Sequence, residues 1–434
     1  MANNPKAKKI SRPARPLAFE RAKGMSDSLP RDQEWRRLIW QTGQTVSELH
    51  DFYFIETPLL ESAEFFESGA GSVSEESEKR LYVLKTKEGE RLALRSGSCA
   101  PILRSYLEHR LVYFASPLKV FHTGPYFRHI KIKPGFERQF HVWGFEIIGE
   151  ADSIYDGEII LALFDFLKAL KIKNLILKIN TSGCRVCRPA FKQKIKNYYR
   201  GRREDLCKKC EKILDENPFA LMACEEEGCR VLREKAPIIL DYLCQNCNNH
   251  LKAVLELTED NGIIYEPNPY LLPEDDYANR TIFEIFAPPF ELPVASGGRY
   301  DYLAEAIGGR ITPAVGGALG LERVTEAMKR QGIVPRAKSR PRIFFVVIGD
   351  QAKKSALKLM NRLRSSGVAV VEVVGKKTLK AQLKIAERMT ITLALLLGQK
   401  EVFEGTVIVR DMTSGVQETV LSERIVEEVK KRLH

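Results

Sequence analysis

Eight of the chain's nine cysteines fall between 184 and 247, in four close pairs: Cys184/Cys187, Cys207/Cys210, Cys224/Cys229 and Cys244/Cys247. Three pairs are C-x-x-C and one is C-x4-C, spacings with which a short turn presents two thiolates to one metal ion. Disulfides would need an oxidising compartment, and the N-terminus has basic residues without the apolar run or cleavage site of an export signal. Two tetrahedral four-cysteine sites holding structural Zn²⁺, with no open coordination position, are the economical reading. Sequential pairing of the knuckles is the expectation. Nested and interleaved pairings stay open, as does a metal-free helical insert with vestigial thiols. Cys99 stands apart and is expected to be buried, with no chemistry assigned.

A second group of residues suits phosphate. Gly124-Pro125-Tyr126-Phe127-Arg128 ends one strand, and Arg138-Gln139-Phe140-His141 opens the next. An arginine at a strand end beside a basic turn can meet a phosphate with a bidentate fork. Gly316 to Arg323 adds a glycine-permitted close backbone approach and a second arginine at a helix onset. His122, His129 and His141 lie in or beside the first motif and read as packing or loop residues.

These residues need a scaffold, and 434 residues at 44% hydrophobic and 29% charged can bury more than one core. Apolar spacing from Gln33 to Phe54 predicts a long helix, and Phe54 to Leu59 an extended segment stopped by Pro58. Strands are expected at 80–85, 91–94, 118–123 and 140–148, a helix at 157–169, and a strand at 175–179. Strands return at 281–286 and 292–295. They arrive in groups, which fits an α+β core with an antiparallel sheet rather than a doubly wound fold. After a basic linker, 341–434 alternates strand and helix as a small α/β domain, its last helix starting at Ser422. The expected organisation is a flexible basic arm (1–17), a core (18–335), a Cys-rich insertion within it (184–250) and the C-terminal domain (341–434).

Charge follows the same division. The net +12 resolves into five basic residues and no acid in 1–17, seventeen basic and ten acidic in 341–434, and a neutral middle. Basic ends on a neutral body suit a polyanion partner or simple solubility. No apolar run reaches membrane-spanning length, so a cytoplasmic protein is expected.

With these motifs in hand, the chain resembles a class II aminoacyl-tRNA synthetase, specifically a histidyl-tRNA synthetase, over about residues 18–434. The helix and strand running to Pro58 look like motif 1, Gly124 to Glu146 like motif 2, and Gly316 to Arg323 like motif 3. Ser296-Gly297-Gly298-Arg299-Tyr300-Asp301 is similar to a signature of that family. Lys380 to Ala386, Leu397-Gly398 and Glu404-Gly405-Thr406 fit its anticodon-binding domain. The resemblance implies ATP with Mg²⁺, histidine and tRNA as substrates, and a homodimer through motif 1. Arg128 would hold the α-phosphate and Arg323 the far phosphates, as catalytic cations, with Phe140 under the adenine. Ile130 stands where the family's motif 2 turn has a glutamate. Lys131 and Lys133 fall where the family meets the acceptor stem, or in a solvated loop.

The amino-acid half departs from the pattern. The family peptide Leu-Arg-Pro-Glu-Gly-Thr-Ala reads Leu94-Arg95-Ser96-Gly97-Ser98-Cys99-Ala100 here, and the glutamine of the motif 2 return strand is Val142. Arg-Gly-Leu-Asp-Tyr-Tyr aligns with Pro273-Glu274-Asp275-Asp276-Tyr277-Ala278. The arginine on the reacting carboxylate is thus a proline, and two new acids, Glu274 and Asp275, stand beside it. Glu146, Tyr277, Arg299 and Tyr300 remain as substrate-binding candidates. A lost transition-state donor costs ~10²–10³ in rate. The expectation is therefore a family paralogue with a degraded histidine pocket that still binds nucleotide and tRNA or other structured RNA. The alternative is an active ligase whose pocket is rebuilt, with Arg299 or Arg280 taking the carboxylate.

Overall fold

The computed structural model describes residues 19–67, 80–273, 277–335, 342–373, 375 and 378–433. The basic arm, Glu274 and Asp275 lie outside them. The chain divides into two compact units at Pro335/Arg336.

The first unit is organised by an eight-stranded sheet. Its strands are β1 (Tyr53–Phe54), β5 (Leu118–Phe127), β6 (Gln139–Ile148), β7 (Ile176–Thr181), β8 (Tyr265–Pro267), β9 (Asn279–Ala287), β10 (Phe290–Arg299) and β11 (Ala314–Gly320). They run in the order β1-β5-β6-β11-β10-β9-β7-β8, antiparallel except at the outer pairs β1/β5 and β7/β8. A three-stranded sheet of β2 (Leu60–Ser62), β3 (Tyr82–Lys85) and β4 (Arg91–Leu94) stands beside it, in the order β2-β4-β3.

One face of the large sheet is covered by helices, because their apolar residues recur at helical spacing. The helix Asp32–Leu49 turns Ile39, Gly43 and Val46 inward, and Ile154–Ala169 buries Ile159, Leu163, Phe166 and Leu167. Trp143 on β6 is wholly buried between them, stacked on Phe121 at 5.3 Å, and its Nε1–H donates to Ser47 Oγ at 3.2 Å. Burial of each such large side chain contributes about 1.5–3 kcal/mol.

The strand expected to run to Pro58 is shorter. Only Tyr53–Phe54 pairs, and the Ile55 amide extends the ladder by one bond to Phe121 O at 2.9 Å. Proline cannot donate, so pairing resumes with a different sheet at Leu60.

The second unit has strands β12 (Arg342–Val347), β13 (Ala369–Glu372), β14 (Leu393–Leu397), β15 (Thr406–Asp411) and β16 (Gln417–Leu421), in the order β13-β12-β14-β15-β16. The first three are parallel and the last two antiparallel. β14 is buried at every position, which explains its uninterrupted Leu-Ala-Leu-Leu-Leu. Gln382 is fully buried and closes the end of β12, giving to Val347 O at 2.7 Å and taking from Val347 N at 3.0 Å. Ser422 does not cap the last helix: it opens a 3₁₀ turn (Ser422–Arg424) ahead of Ile425–Leu433.

Candidate functional site

Antiparallel register brings the motifs together. β5 lies on β6 with Tyr126 opposite Phe140, β6 on β11 with Glu146 opposite Gly316, and β11 on β10 with Gly316 opposite Gly298. Residues nearly two hundred apart thus share one sheet face.

In the nucleotide half, Arg128 leaves the end of β5 with its Nε donating to Ser96 O at 2.9 Å, and its guanidinium stands 5.4 Å from the Phe140 ring centre. Arg323, in the first turn of Leu321–Arg330, donates to Gly135 O (3.3 Å) and Pro293 O (3.1 Å) and stands 4.8 Å over Phe136. Both arginines are half-exposed. Glu322 beside Arg323 accepts from His141, at 3.0 Å from its amide and 2.8 Å from its ring, and from Arg36 at 3.2 Å. Burial opposes the Glu322 charge, but the hydrogen bonds from His141 prevail and hold the carboxyl below its ordinary value. His129 is exposed, edge-on to Tyr82 at 5.5 Å. Arg95 is buried under the strand, joining Thr57 O (2.8 Å) to Pro125 O (3.1 Å).

The amino-acid half is enclosed. Glu146 is 1% exposed and accepts from the Tyr300 hydroxyl, from Ser98 Oγ at 3.2 Å and from Cys99 Sγ at 3.7 Å. A Cβ at Gly316 would stand 1.6 Å from Glu146 Oε2, so only glycine fits beneath this carboxylate. Burial and the Glu146 charge push the Tyr300 pKa far up, keeping it a phenol that donates. Tyr277 packs edge-on against Tyr300 at 6.4 Å. His122 is buried, with Nδ1 on Tyr126 Oη at 3.1 Å, while Nε2 lies 3.6 Å from Glu146 and has no hydrogen-bond partner among the described residues. Cys99 is half-buried rather than buried, because it begins the helix Cys99–Glu108 at the pocket wall.

Arg299 departs from its expected place. It is 0% exposed, and its donors go to Asp156 (Nε at 3.0 Å, and Nη2), Asp301 (3.1 Å) and the carbonyls of Glu150 (3.1 Å) and Asp152 (3.0 Å). A guanidinium has five N–H groups, and these contacts engage them all. Asp156 is held below its usual range by His250 and Arg299 against the opposing effect of burial. Arg299 is therefore a buried cation whose donors are all engaged within the protein. Its sequence signal was a lone acid, Asp156, on an otherwise apolar helix face.

The cysteines form two sets, Cys184/Cys187/Cys244/Cys247 and Cys207/Cys210/Cys224/Cys229, each with all sulfurs within 4.8 Å of one another. The pairing is nested, not sequential. An inserted segment must leave and re-enter the sheet at one place, so its first and last knuckles meet there. A tetrahedral site with Zn–S of ~2.3 Å has S–S edges of ~3.8 Å. Sulfur separations are 3.7 Å (Cys184–Cys187 and Cys184–Cys244), 3.8 Å (Cys187–Cys247) and 3.9 Å (Cys207–Cys224). The Cys210 amide, donating to Cys207 Sγ at 3.5 Å, pulls that thiol down to about 7. Both sets fit a four-thiolate metal.

Comparison with known proteins agrees with this geometry. The histidyl-tRNA synthetase family pattern matches residues 24–324, and that of the anticodon-binding domain matches 342–432. A histidine–tRNA ligase of Desulforudis audaxviator is 36% identical over 421 residues, covering 96% of this chain and 99% of its own. One from Dehalococcoides mccartyi is 34% identical over 418 residues, covering 96% and 100%. The structure of apo S. aureus histidyl-tRNA synthetase superposes with a TM-score of 0.77 at 27% identity, covering 95% of this chain and all of that one. The fold and its three motifs are those of a class II aminoacyl-tRNA synthetase. Within that class, the chain belongs to the histidyl-tRNA synthetase family.

Proposed function

We infer that this chain binds ATP with Mg²⁺ and tRNA through the family's surfaces, and that its histidine pocket no longer supports ordinary histidine activation. The family reaction joins ATP and L-histidine into an adenylate and passes the histidyl group to tRNA, releasing AMP and diphosphate. Charge develops on the α-phosphate as the carboxylate attacks, and fixed cations must meet it. Arg128 and Arg323 supply them on the nucleotide side, with Phe140 as the platform for the base. On the amino-acid side the carrying observation is Arg299: one of the two cations that a rebuilt pocket could use in place of the lost arginine has every donor engaged inside the protein. Gly97, Cys99, Val142 and Ala278 then leave the ammonium, carboxylate and imidazole without the family's partners, where each unpaired group costs ~1–3 kcal/mol.

One observation favours the second reading, a working ligase: relatives matching the chain over almost its whole length carry that name. It would need Arg280, half-buried on β9, to take the carboxylate. Histidine-dependent ATP–diphosphate exchange separates the two. The first expects a rate at least ~10²-fold below that of such a relative under the same conditions; a matching rate establishes the second.

The C-terminal unit supports tRNA binding, with phosphate contacts making affinity fall steeply with salt. Filter binding at low salt that shows no tRNA retention would refute it. A symmetric dimer is supported by the exposed aromatics at the β1 edge, where Tyr113 is 87% and Phe114 64% exposed. Both cysteine sets would hold structural Zn²⁺, and their reduced thiols suit the cytoplasm. Among the described residues, no helix is long and apolar enough to cross a membrane.

A further inference from the structure

The two cysteine sets differ in what they are tied to. The set Cys184/Cys187/Cys244/Cys247 sits at the neck of the insert, directly after β7. Gly183, at φ +68°, makes the turn into it, and a Cβ there would stand 2.8 Å from Cys187 Sγ. This neck is laced to the segment 278–280, the wall of the amino-acid pocket. The Arg280 amide donates to Gly183 O at 2.7 Å, and the Ser182 amide to Arg280 O at 2.8 Å. Ser182 Oγ and Arg188 Nη1 both donate to Ala278 O, at 3.2 and 3.0 Å. Arg185, between the two cysteines of the first knuckle, pairs with Glu305 and lies 4.0 Å over the Tyr302 ring.

A second route leaves from the other knuckle. Cys247 lies on the helix Gln245–Asp260, and one turn further His250 Nε2 meets Asp156 Oδ1 at 3.1 Å. Asp156 holds Arg299, Arg299 holds Asp301, and Asp301 is clasped by Asn279 through two bonds of 2.7 Å. Both routes end on residues 278–280, and the second passes the neighbour of Tyr300, the donor to Glu146.

The set Cys207/Cys210/Cys224/Cys229 is different. Among the described residues, the side-chain hydrogen bonds and ion pairs of residues 203–235 stay within the insert. Among the described residues its contacts outside are apolar and aromatic: Arg233 lies 4.9 Å over Tyr270, and Tyr270 and Leu272 pack on its core.

We propose that the metal held by Cys184, Cys187, Cys244 and Cys247 is a clamp that positions the 278–280 wall and the Arg299 cluster, while the metal of the other set folds the insert alone. The proposal rests on the zinc reading above. The first measurement is metal content of the full chain by mass spectrometry: two Zn²⁺ per chain supports it, and none removes both it and the zinc reading. Two double variants, C184S/C244S and C207S/C224S, are then compared by hydrogen exchange. Each should retain one zinc. The first should lose protection in peptides covering 277–284 and 299–303 by about tenfold or more, and the second should leave those peptides unchanged. Equal protection in both variants, with two zincs in the parent protein, overturns the clamp and spares the zinc reading. If C184S/C244S does not accumulate folded, C244H carries the test, since a histidine can replace one thiolate ligand. Two zincs with parental protection support the clamp; one zinc with parental protection overturns it.

Discussion

The nucleotide and amino-acid halves of the site use the same residue types and hold them in opposite ways. Arg128 and Arg323 rest on carbonyl oxygens and ring faces at the surface of the sheet. Arg299 is matched by two buried carboxylates, and Glu146 by three protein donors. A ligand arriving there would have to displace partners already desolvated. The two halves of one sheet thus differ in how many of their charges are met by buried protein partners.

The largest effect expected from breaking this contrast is at Arg299. R299M would leave Asp156 and Asp301 buried without their cation, at about 3–5 kcal/mol. Chemical denaturation should show the loss in the first unit. A variant of parental stability with altered histidine response would instead return Arg299 to the site. Next is a graft of the family residues, Gly97→Glu, Cys99→Thr and Pro273→Arg. Nothing lies within 4 Å of a Cβ at Gly97, so the longer side chain has room. Histidine-dependent exchange should rise by about 10²-fold, the effect of regaining one transition-state donor. No gain would mean that enclosure of Glu146, not the missing groups, limits the pocket. Y300F removes one donor from Glu146 and should cost about 1–3 kcal/mol in stability while leaving ATP affinity unchanged. Reduced ATP affinity would couple the two halves.

The smallest effect belongs to the nucleotide side and concerns acid. Glu322 is held below its ordinary pKa of 4.5, so its contribution to stability is complete above that value and is lost as pH falls below it. E322Q should lower the melting temperature modestly at pH 7, where the contribution is complete, and flatten its decline between about pH 5 and 3. An unchanged acid limb would show that the His141 contacts do not stabilise the fold.

Much of this was legible in the sequence because it is local. The C-x-x-C knuckles, Arg128 at a strand end and Arg323 at a helix start each carry their own geometry in a few residues. The strands expected at 80–85, 91–94, 118–123, 140–148 and 175–179 lie within a few positions of those found, because their apolar runs are bounded by turns. What escaped depends on distance along the chain. Asp156 and Arg299 are 143 positions apart, and His250 is 94 from Asp156. No periodicity links them, so the buried partners of Arg299 could not be read from the sequence. The nested cysteine sets escaped because spacing ranks neighbours first, whereas an insertion's topology joins its two ends. His122 could not be seen to face Glu146 without the register of β5 on β6, nor Cys99 without the packing of the helix Cys99–Glu108.

The burial of Trp143 against Phe121 and Ser47 has an optical consequence. The chain's three tryptophans, Trp35, Trp40 and Trp143, all lie in the first unit outside the insert. Trp40 meets Trp143 edge-on at 5.7 Å, so their emission follows the packing of one helix on one sheet. Ultraviolet-excited tryptophan fluorescence is thus a native, label-free gauge of the catalytic scaffold. The Cys-rich insert holds tyrosines but no tryptophan, and residues 336–434 hold neither, so both are dark in that channel and the signal reports the scaffold alone.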